Sequence, residues 1–274
     1  MPIIQTGFKR TYYKEWKPDS GNAKGTILLA HGLGGTNNFY TPLIPHLTTA
    51  GYRCIAYDLH GMGLSPYSGL EQSVATLARD AIDLMDALDI KTATFVGHSM
   101  SGMTGPCVAA TYPERITALA LCAPVLPTEA AAAVFDDRIG KIEATRSMEA
   151  LADLISWAAP GSKATGLQRA FIRDLILRND PAAYVSLCRV ISSAWEDVPK
   201  YEDVKCPVLI VAGDEDKNPS VKMCETILER LGSARKNIKL LNGVGHWTVI
   251  ESPDETGMAI RDFLGEIQKD VPRI

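Results

Sequence analysis

Short runs of apolar and β-branched residues alternate along this chain with longer stretches whose apolar positions repeat at three and four residues. The short runs have the length and composition of buried strands and lie at Thr26–Ala30, Arg53–Tyr57, Thr92–Val96, Ala118–Cys122, Val208–Ala212 and Ile238–Leu241. The longer stretches have helical spacing and lie at Tyr40–Ala50, Leu70–Leu88, Gly102–Tyr112, Val221–Leu231 and about Asp254–Ile267. Buried strands that are each followed by a helix predict an α/β fold with a mostly parallel, doubly wound sheet.

One stretch, from about Leu126 to Lys200, contains no strand-like run. Its helical segments lie at Glu129–Phe135, Met148–Trp157, Leu167–Leu177 and Pro181–Trp195, separated by Gly140, Pro160-Gly161 and Asn179-Asp180-Pro181. We predict a helical cap inserted between the strand-like runs Ala118–Cys122 and Val208–Ala212. It divides the chain into a first core segment (1–125), the cap (126–200) and a second core segment (201–274). Trp157, Phe171 and Leu175 either line a substrate pocket or seal the cap onto the core.

Composition and charge narrow the class of protein. The chain has 274 residues, 46% of them apolar, and a net charge of −4 with a pI near 5.8. These values are typical of globular domains and give no electrostatic reason to expect nucleic acid or an acidic membrane as a partner. Residues 1–10 do not have the pattern of a signal peptide, and the six cysteines form no C-x-x-C pair. We therefore expect a cytoplasmic protein with free thiols and no metal site.

The most informative motif is Gly97-His98-Ser99-Met100-Ser101, which directly follows an apolar run and opens a helix of small residues. This order predicts a sharp strand–turn–helix elbow that exposes the hydroxyl of Ser99 at the end of the sheet. The usual pattern is G-x-S-x-G, so Ser101 is a departure from it. Serine is small, and Gly102 is expected to leave additional room where the backbones of the strand and the helix approach each other.

A serine nucleophile needs a base, and the base needs an orienting carboxylate. His246 is the candidate base, because it lies in a glycine-rich loop after the last strand-like run. Asp216 is the candidate acid, from a loop after Val208–Ala212, where open α/β sheets place ligands. Asp214 and Glu215 precede it and fit solvated turn residues, with Asp214 able to form an Asx turn. Glu129 is a more distant alternative acid.

The backbone N–H groups of Leu33 and Met100 are the candidate oxyanion hole. Met100 follows the nucleophile, and Leu33 lies in the turn His31-Gly32-Leu33-Gly34-Gly35 after the first strand-like run. Two fixed donors of this kind contribute a few kcal/mol to stabilising a transition state.

The chain order serine, aspartate, histidine is that of the α/β-hydrolase superfamily. The sequence resembles this superfamily over nearly its whole length. Further motifs are similar to those of that superfamily, namely Asp58-x-x-Gly61-x-Gly63-x-Ser65, Tyr112-Pro113-Glu114-Arg115 and the Glu251-Ser252-Pro253 that follows His246. The predicted cap is similar in length, and in its helix-breaking segment Asn179-Asp180-Pro181, to the cap of 3-oxoadipate enol-lactonases and small esterases. Haloalkane dehalogenases and soluble epoxide hydrolases of this fold have aspartate at the elbow, so Ser99 argues against both.

The resemblance implies a serine hydrolase that cleaves an ester or lactone of a small, mostly apolar substrate and needs no cofactor or metal. Trp247, next to the candidate base, is a further candidate pocket residue. Two alternatives stay open, a hydrolase of a carbon–carbon bond in a diketone-like substrate and a hydrolase-like small-molecule receptor with slow turnover. We expect a monomer or homodimer.

Overall fold

An eight-stranded sheet forms the centre of the computed structural model, which describes residues 2–18, 20–197, 200–217 and 219–269. Asn218 of the Asp216 loop and residues 270–274 of the second core segment lie outside the described residues. The strand order is β1-β2-β4-β3-β5-β6-β7-β8, antiparallel from β1 to β4 and parallel from there to β8. The strands are β1 (Ile3–Thr6), β2 (Lys9–Trp16), β3 (Thr26–Ala30), β4 (Arg53–Tyr57), β5 (Ala93–His98), β6 (Ile116–Cys122), β7 (Val208–Gly213) and β8 (Lys236–Leu241).

Helices cover this sheet, and most of the described helices lie where the helical spacing of the sequence predicted one, although several begin or end at other residues. Two short 3₁₀ helices span Asn37–Leu43 and Tyr201–Asp203. The α-helices are α1 (Ile44–Thr49), α2 (Val74–Ala87), α3 (Met100–Thr111), α4 (Glu129–Thr145), α5 (Glu149–Ala158), α6 (Gly166–Leu177), α7 (Pro181–Ser193), α8 (Val221–Arg230), α9 (Thr248–Glu251) and α10 (Pro253–Lys269). Within the described residues, no helix has the length and apolarity needed to cross a membrane.

The predicted helical insertion consists of α4 to α7 and lies between β6 and β7. Helix α4 packs on α7, and α5 packs on α6. Three of these helices begin at a side-chain cap, provided by Thr128, Thr165 and Asp180. The proposed division at residues 125 and 200 stays a prediction.

The sequence prediction missed β1 and β2 and misjudged two other features. The missed hairpin is antiparallel and half-exposed, so its strands carry polar residues instead of a uniformly apolar run. The last strand was predicted to be buried, yet β8 is the sheet edge and most of its side chains are exposed. Gly140 does not separate helices but lies inside α4, where no atom would obstruct a Cβ.

Candidate active site

The turn between β5 and α3 holds Ser99 in a backbone conformation that side chains rarely adopt, with φ 55° and ψ −113°. Such a conformation costs about 1–3 kcal/mol and persists only where the surroundings impose it. The Ser99 N–H donates to the Cys122 carbonyl at 2.9 Å, and the Val125 N–H donates to the Ser99 carbonyl at 3.2 Å. A Cβ at Gly97 would overlap the Ser101 carbonyl, so the tight turn requires glycine there. The predicted elbow is therefore present.

Ser101, the departure from the usual elbow pattern, makes a specific contact in the structure. Its buried Oγ donates a 2.6 Å hydrogen bond to the backbone carbonyl of His31, which opens the loop that contains Leu33. A glycine at this position would lack that donor. Gly102 does not provide the expected room, because a Cβ there would lie only 2.7 Å from Pro124 Cα. Small residues at both positions thus allow close packing, and Ser101 also ties the elbow to the neighbouring loop.

Three side chains form one hydrogen-bonded row at the carboxyl edge of the sheet. The Ser99 hydroxyl donates to His246 Nε2 at 3.0 Å, and His246 Nδ1–H donates to Asp216 Oδ2 at 2.8 Å. Because an ionised carboxylate only accepts hydrogen bonds, the contact with Asp216 places the imidazole proton on Nδ1. Nε2 is then free to accept the serine proton. All three residues predicted from the sequence are brought together, in the predicted order of contact.

The surroundings of His246 set its proton affinity. Burial lowers the pKa of His246, but the charge and hydrogen bond of Asp216 raise it more, with a further contribution from Glu251. Arg138 opposes this rise through its positive charge. The net result is a pKa above the ordinary value for an imidazole. Asp216 therefore both fixes the tautomer of His246 and favours its protonated form.

The other acidic candidates have structural partners of their own. Asp214 accepts a hydrogen bond from the Gly243 N–H at 2.7 Å, and Glu215 accepts from the Ser162 N–H and hydroxyl at 2.6 Å each. They are thus not merely solvated turn residues, since one braces the loop of His246 and the other contacts the cap. Glu129 lies exposed in the first turn of α4. Of these carboxylates, the structure shows only Asp216 in contact with His246.

The carboxylate of Glu251 holds the loop of His246 against the cap. It accepts hydrogen bonds from the N–H groups of Gly161, Gly245 and Trp247 at 2.7, 2.8 and 2.8 Å. The His246 N–H donates to the carbonyl of Ala159, and a Cβ at Gly245 would overlap that same oxygen. The glycine-rich loop therefore lets the connection between α5 and α6 pass directly over it. Sequence reasoning included Glu251 only as part of a motif and did not assign it this contact.

The two predicted oxyanion donors lie next to Ser99. Met100 is the first residue of α3, where an N–H has no acceptor within its own helix. Leu33 lines the same cavity as Ser99. A Cβ at the preceding residue, Gly32, would meet Ser99 Cβ at 2.8 Å, so this loop passes directly against the serine. Both N–H groups thus belong to backbone segments adjacent to Ser99.

Three further histidines are buried, namely His98 at the end of β5 and His31 and His60 in loops that follow β3 and β4. Burial holds the pKa of His98 well below its ordinary value, lowers that of His60 to about 4, and lowers that of His31. His98 Nε2–H donates to the His246 carbonyl at 2.9 Å, and His31 Nε2 accepts from the Leu59 N–H at 3.0 Å. His98 and His31 thus hold neighbouring loops, and of the buried histidines it is His246 that is hydrogen-bonded to Ser99.

A cavity of about 340 Å³ opens above Ser99 and His246, under the cap. This volume suits a small organic molecule. Most of its lining is apolar, with aliphatic side chains from the cap helices on one side. The lining residues are Leu33, Ser99, Val125, Ala131, Val134, Phe135, Arg138, Leu154, Ile155, Ala158, Ala159, Tyr184, Ile191, Asp216, Lys217, His246 and Trp247.

Of the four predicted pocket residues, Trp247 lines this cavity and the other three do not. Trp157 is 73% exposed, and the Arg169 guanidinium lies 5.2 Å from its ring centroid. Phe171 and Leu175 line a separate cavity with Asn37. The helical faces explain this correction, because α5 turns Leu154, Ile155 and Ala158 towards the catalytic cavity and leaves Trp157 outside.

Sequence reasoning also missed Arg138 and Tyr184, the polar residues that the cap contributes to the cavity. The predicted first cap helix ended at Phe135, whereas α4 continues to Thr145. Arg138 lies three residues after Phe135, on the same face of that helix. Continuing the helical spacing past Phe135 would have placed Phe135 and Arg138 on one side of α4.

Comparisons with known proteins cover nearly the whole chain. A model of the Hydrolase_4 family, described as serine aminopeptidase, S33, matches residues 21–253. The 2-hydroxy-6-oxo-6-phenylhexa-2,4-dienoate hydrolase of Comamonas testosteroni is 29% identical over 265 residues, which cover 90% of this chain and 89% of that protein. Esterase YbfF of Escherichia coli K12 is 25% identical over 246 residues, covering 88% and 93%.

The structural comparison gives a similar picture. The crystal structure of the enol-lactonase from Burkholderia xenovorans LB400 matches 96% of this chain and 100% of its own, with a TM-score of 0.86 and 27% sequence identity. A thermophilic esterase from Thermogutta terrifontis, at 18% identity and a TM-score of 0.85, shows the shared fold.

Proposed function

The chain belongs to the Hydrolase_4 family and thus to the α/β-hydrolase superfamily, as its motifs predicted, and from that premise we propose that it is a serine hydrolase. The proposed reaction is cleavage of an ester or lactone bond in a small molecule through an acyl-enzyme. The observation that carries the proposal is the row from Ser99 through His246 to Asp216 on the floor of the cavity.

In the first half of the reaction, Ser99 Oγ attacks the scissile carbonyl carbon while His246 Nε2 accepts the hydroxyl proton. Asp216 stabilises the imidazolium that forms, because its carboxylate stays hydrogen-bonded to Nδ1–H. The carbonyl oxygen becomes an oxyanion next to the N–H groups of Leu33 and Met100. Collapse of this intermediate breaks the bond to the leaving oxygen, which takes the proton from His246 Nε2. An acyl group is then left on Ser99.

In the second half, water attacks the acyl carbon and His246 accepts one of its protons. The second tetrahedral intermediate collapses, the proton returns to Ser99 Oγ, and the acid leaves. Every proton transfer uses one nitrogen of His246, so the 3.0 Å contact with Ser99 serves both halves.

The size and lining of the cavity support a small substrate with a substantial apolar portion. The names of the similar proteins include an esterase, an enol-lactonase and a dienoate hydrolase, and the first two support the ester or lactone reaction. All six cysteines are free, which fits the proposed cytoplasmic location.

The test is labelling of the purified protein with a fluorophosphonate probe, followed by turnover of p-nitrophenyl acetate. We expect labelling and turnover in the wild type and neither in Ser99→Ala. Labelling without turnover supports the small-molecule receptor instead. Turnover of a diketone-like substrate at a much higher kcat/KM than any ester supports the carbon–carbon hydrolase.

A further inference from the structure

Arg138 is a cation inside an otherwise largely apolar cavity. It lines the cavity that contains Ser99 and His246, and it is only partly exposed. The Phe135 ring centroid lies 4.7 Å from its guanidinium carbon, and Nη1 approaches the Tyr184 hydroxyl at 3.4 Å. These contacts hold the guanidinium beside two other residues that line the cavity, and neither contact neutralises its charge.

The charge of Arg138 has no counterion among the described residues. Three other arginines of the cap each pair with a carboxylate, Arg173 with Asp153, Arg178 with Asp174 and Arg189 with Glu143, at 2.5 to 2.7 Å. Arg138 forms no such pair within the part of the chain that the structure describes. Asp216 is the one carboxylate among the cavity-lining residues, and it is hydrogen-bonded to His246.

A partly desolvated guanidinium is expected to have an anionic or strongly polar partner. The planar fork of arginine matches the two oxygens of a carboxylate. Tyr184 accepts from Arg138, so its own O–H points elsewhere and is available to donate to the same anion. Lys217 lines the same cavity from the Asp216 loop and adds a second positive charge.

We propose that the substrate carries a carboxylate remote from its scissile bond, and that Arg138, with Tyr184, binds this carboxylate and determines specificity. This proposal rests on the proposed serine hydrolase function and adds a substrate class to it. The acid-bearing end lies against α4 and α7, while the scissile carbonyl lies at Ser99. The apolar lining between them contacts the connecting carbon chain.

The experiment compares kcat/KM for esters that differ only by a carboxylate in place of a methyl group. Monomethyl adipate and methyl hexanoate place that difference on the acyl side, and 6-acetoxyhexanoate and hexyl acetate place it on the leaving-group side. Acid release is followed by pH-stat. We expect the wild type to prefer the acid in at least one pair, and the preferred pair identifies which side of the bond faces Arg138.

Arg138→Gln is the test variant, and it should lower kcat/KM for the preferred acid by about 10- to 100-fold, as expected for loss of a charge-assisted hydrogen bond. Its effect on the neutral partner should stay within about threefold. Arg146→Gln is the matched control, because it removes the same charge from the exposed end of α4. It should leave both esters unchanged. Arg138→Lys should retain part of the preference.

Equal losses on acid and neutral esters in Arg138→Gln would overturn the proposal, as would a wild type that prefers the neutral ester in both pairs. Where turnover is too slow to measure, protection of Ser99 from the fluorophosphonate by each ester gives the same comparison. Failure of the serine hydrolase proposal is distinct from these outcomes, because neither labelling nor Ser99-dependent turnover of the neutral esters would then occur.

Discussion

Replacing Ser101 with alanine removes the hydroxyl that joins the elbow helix to the loop of Leu33, and it keeps the Cβ that packs there. The lost hydrogen bond is 2.6 Å long and buried, and it leaves the His31 carbonyl without that donor. An unsatisfied buried acceptor costs about 1–3 kcal/mol. For a protein of this size, each kcal/mol lowers Tm by about 2–4 °C. We therefore expect a Tm about 2–12 °C lower, from the same two ranges.

The same change should also lower activity, because the His31 carbonyl belongs to the loop that contains Leu33, whose N–H is a proposed oxyanion donor. Complete loss of one oxyanion donor costs about 10²–10³ in kcat. A donor that is displaced but not deleted should cost less, so we expect kcat to fall by about 3- to 30-fold. KM should change little, since the donor acts on the transition state more than on the bound ester.

The assay is p-nitrophenyl ester hydrolysis combined with thermal unfolding. Thr104→Val is the matched control, because it removes another buried hydroxyl of α3, whose 3.3 Å hydrogen bond goes to Met100 within the same helix. A wild-type kcat in Ser101→Ala, together with a Tm as high as that of Thr104→Val, would refute the role assigned to Ser101.

Three further changes test other parts of the site. Asp216→Asn should lower kcat by about 10³-fold or more through loss of the correct imidazole tautomer. The matched controls Asp214→Asn and Glu215→Gln should lower it much less. A mild loss in Asp216→Asn together with a severe loss in Glu129→Gln would assign the acid to Glu129 in α4. The raised pKa of His246 means that kcat/KM should fall with decreasing pH at a midpoint above about 6.5, because only the neutral imidazole accepts the serine proton. A pH–rate profile with a non-ionising ester measures this midpoint, and a flat profile from about pH 5 to 8 with rate-limiting chemistry would remove His246 as the base. Ile155→Ala should change the ranking of long and short esters more than Trp157→Ala does, since only Ile155 lines the catalytic cavity; equal changes in both rankings would contradict the assigned cavity lining.

The parallel core and the row of three side chains were predictable because their signals are local. Buried parallel strands are continuous apolar runs, and Ser99 and Asp216 each follow such a run in a short loop. His246 follows the edge strand β8, and its glycine-rich loop was the signal that identified it. Strand β4 was predicted residue by residue. The antiparallel strands β1 and β2 lack that signal, since β2 mixes charged and aromatic residues and β1 has only four residues, two of them polar.

The lining of the cavity was not predictable in the same way, because it depends on how the cap helices pack. Trp157 and Phe171 looked suitable as large apolar residues, yet the packing of α5 on α6 turns them away from Ser99. Arg138 reads in the sequence as an ordinary surface charge of a helix. Only the packing of α4 against α7 places its guanidinium beside Tyr184 and inside the cavity.

The most direct test of the account is to capture the acyl-enzyme. The protein is mixed with p-nitrophenyl acetate, quenched in acid within the burst phase, and analysed as the intact chain and as peptides by mass spectrometry. We predict one acetyl group on the peptide that contains Ser99, together with a burst of p-nitrophenol equal to the enzyme concentration when deacylation is the slow step. Full turnover in Ser99→Ala, or an acetyl group that resides on another residue and is competent for turnover, would contradict the proposed mechanism.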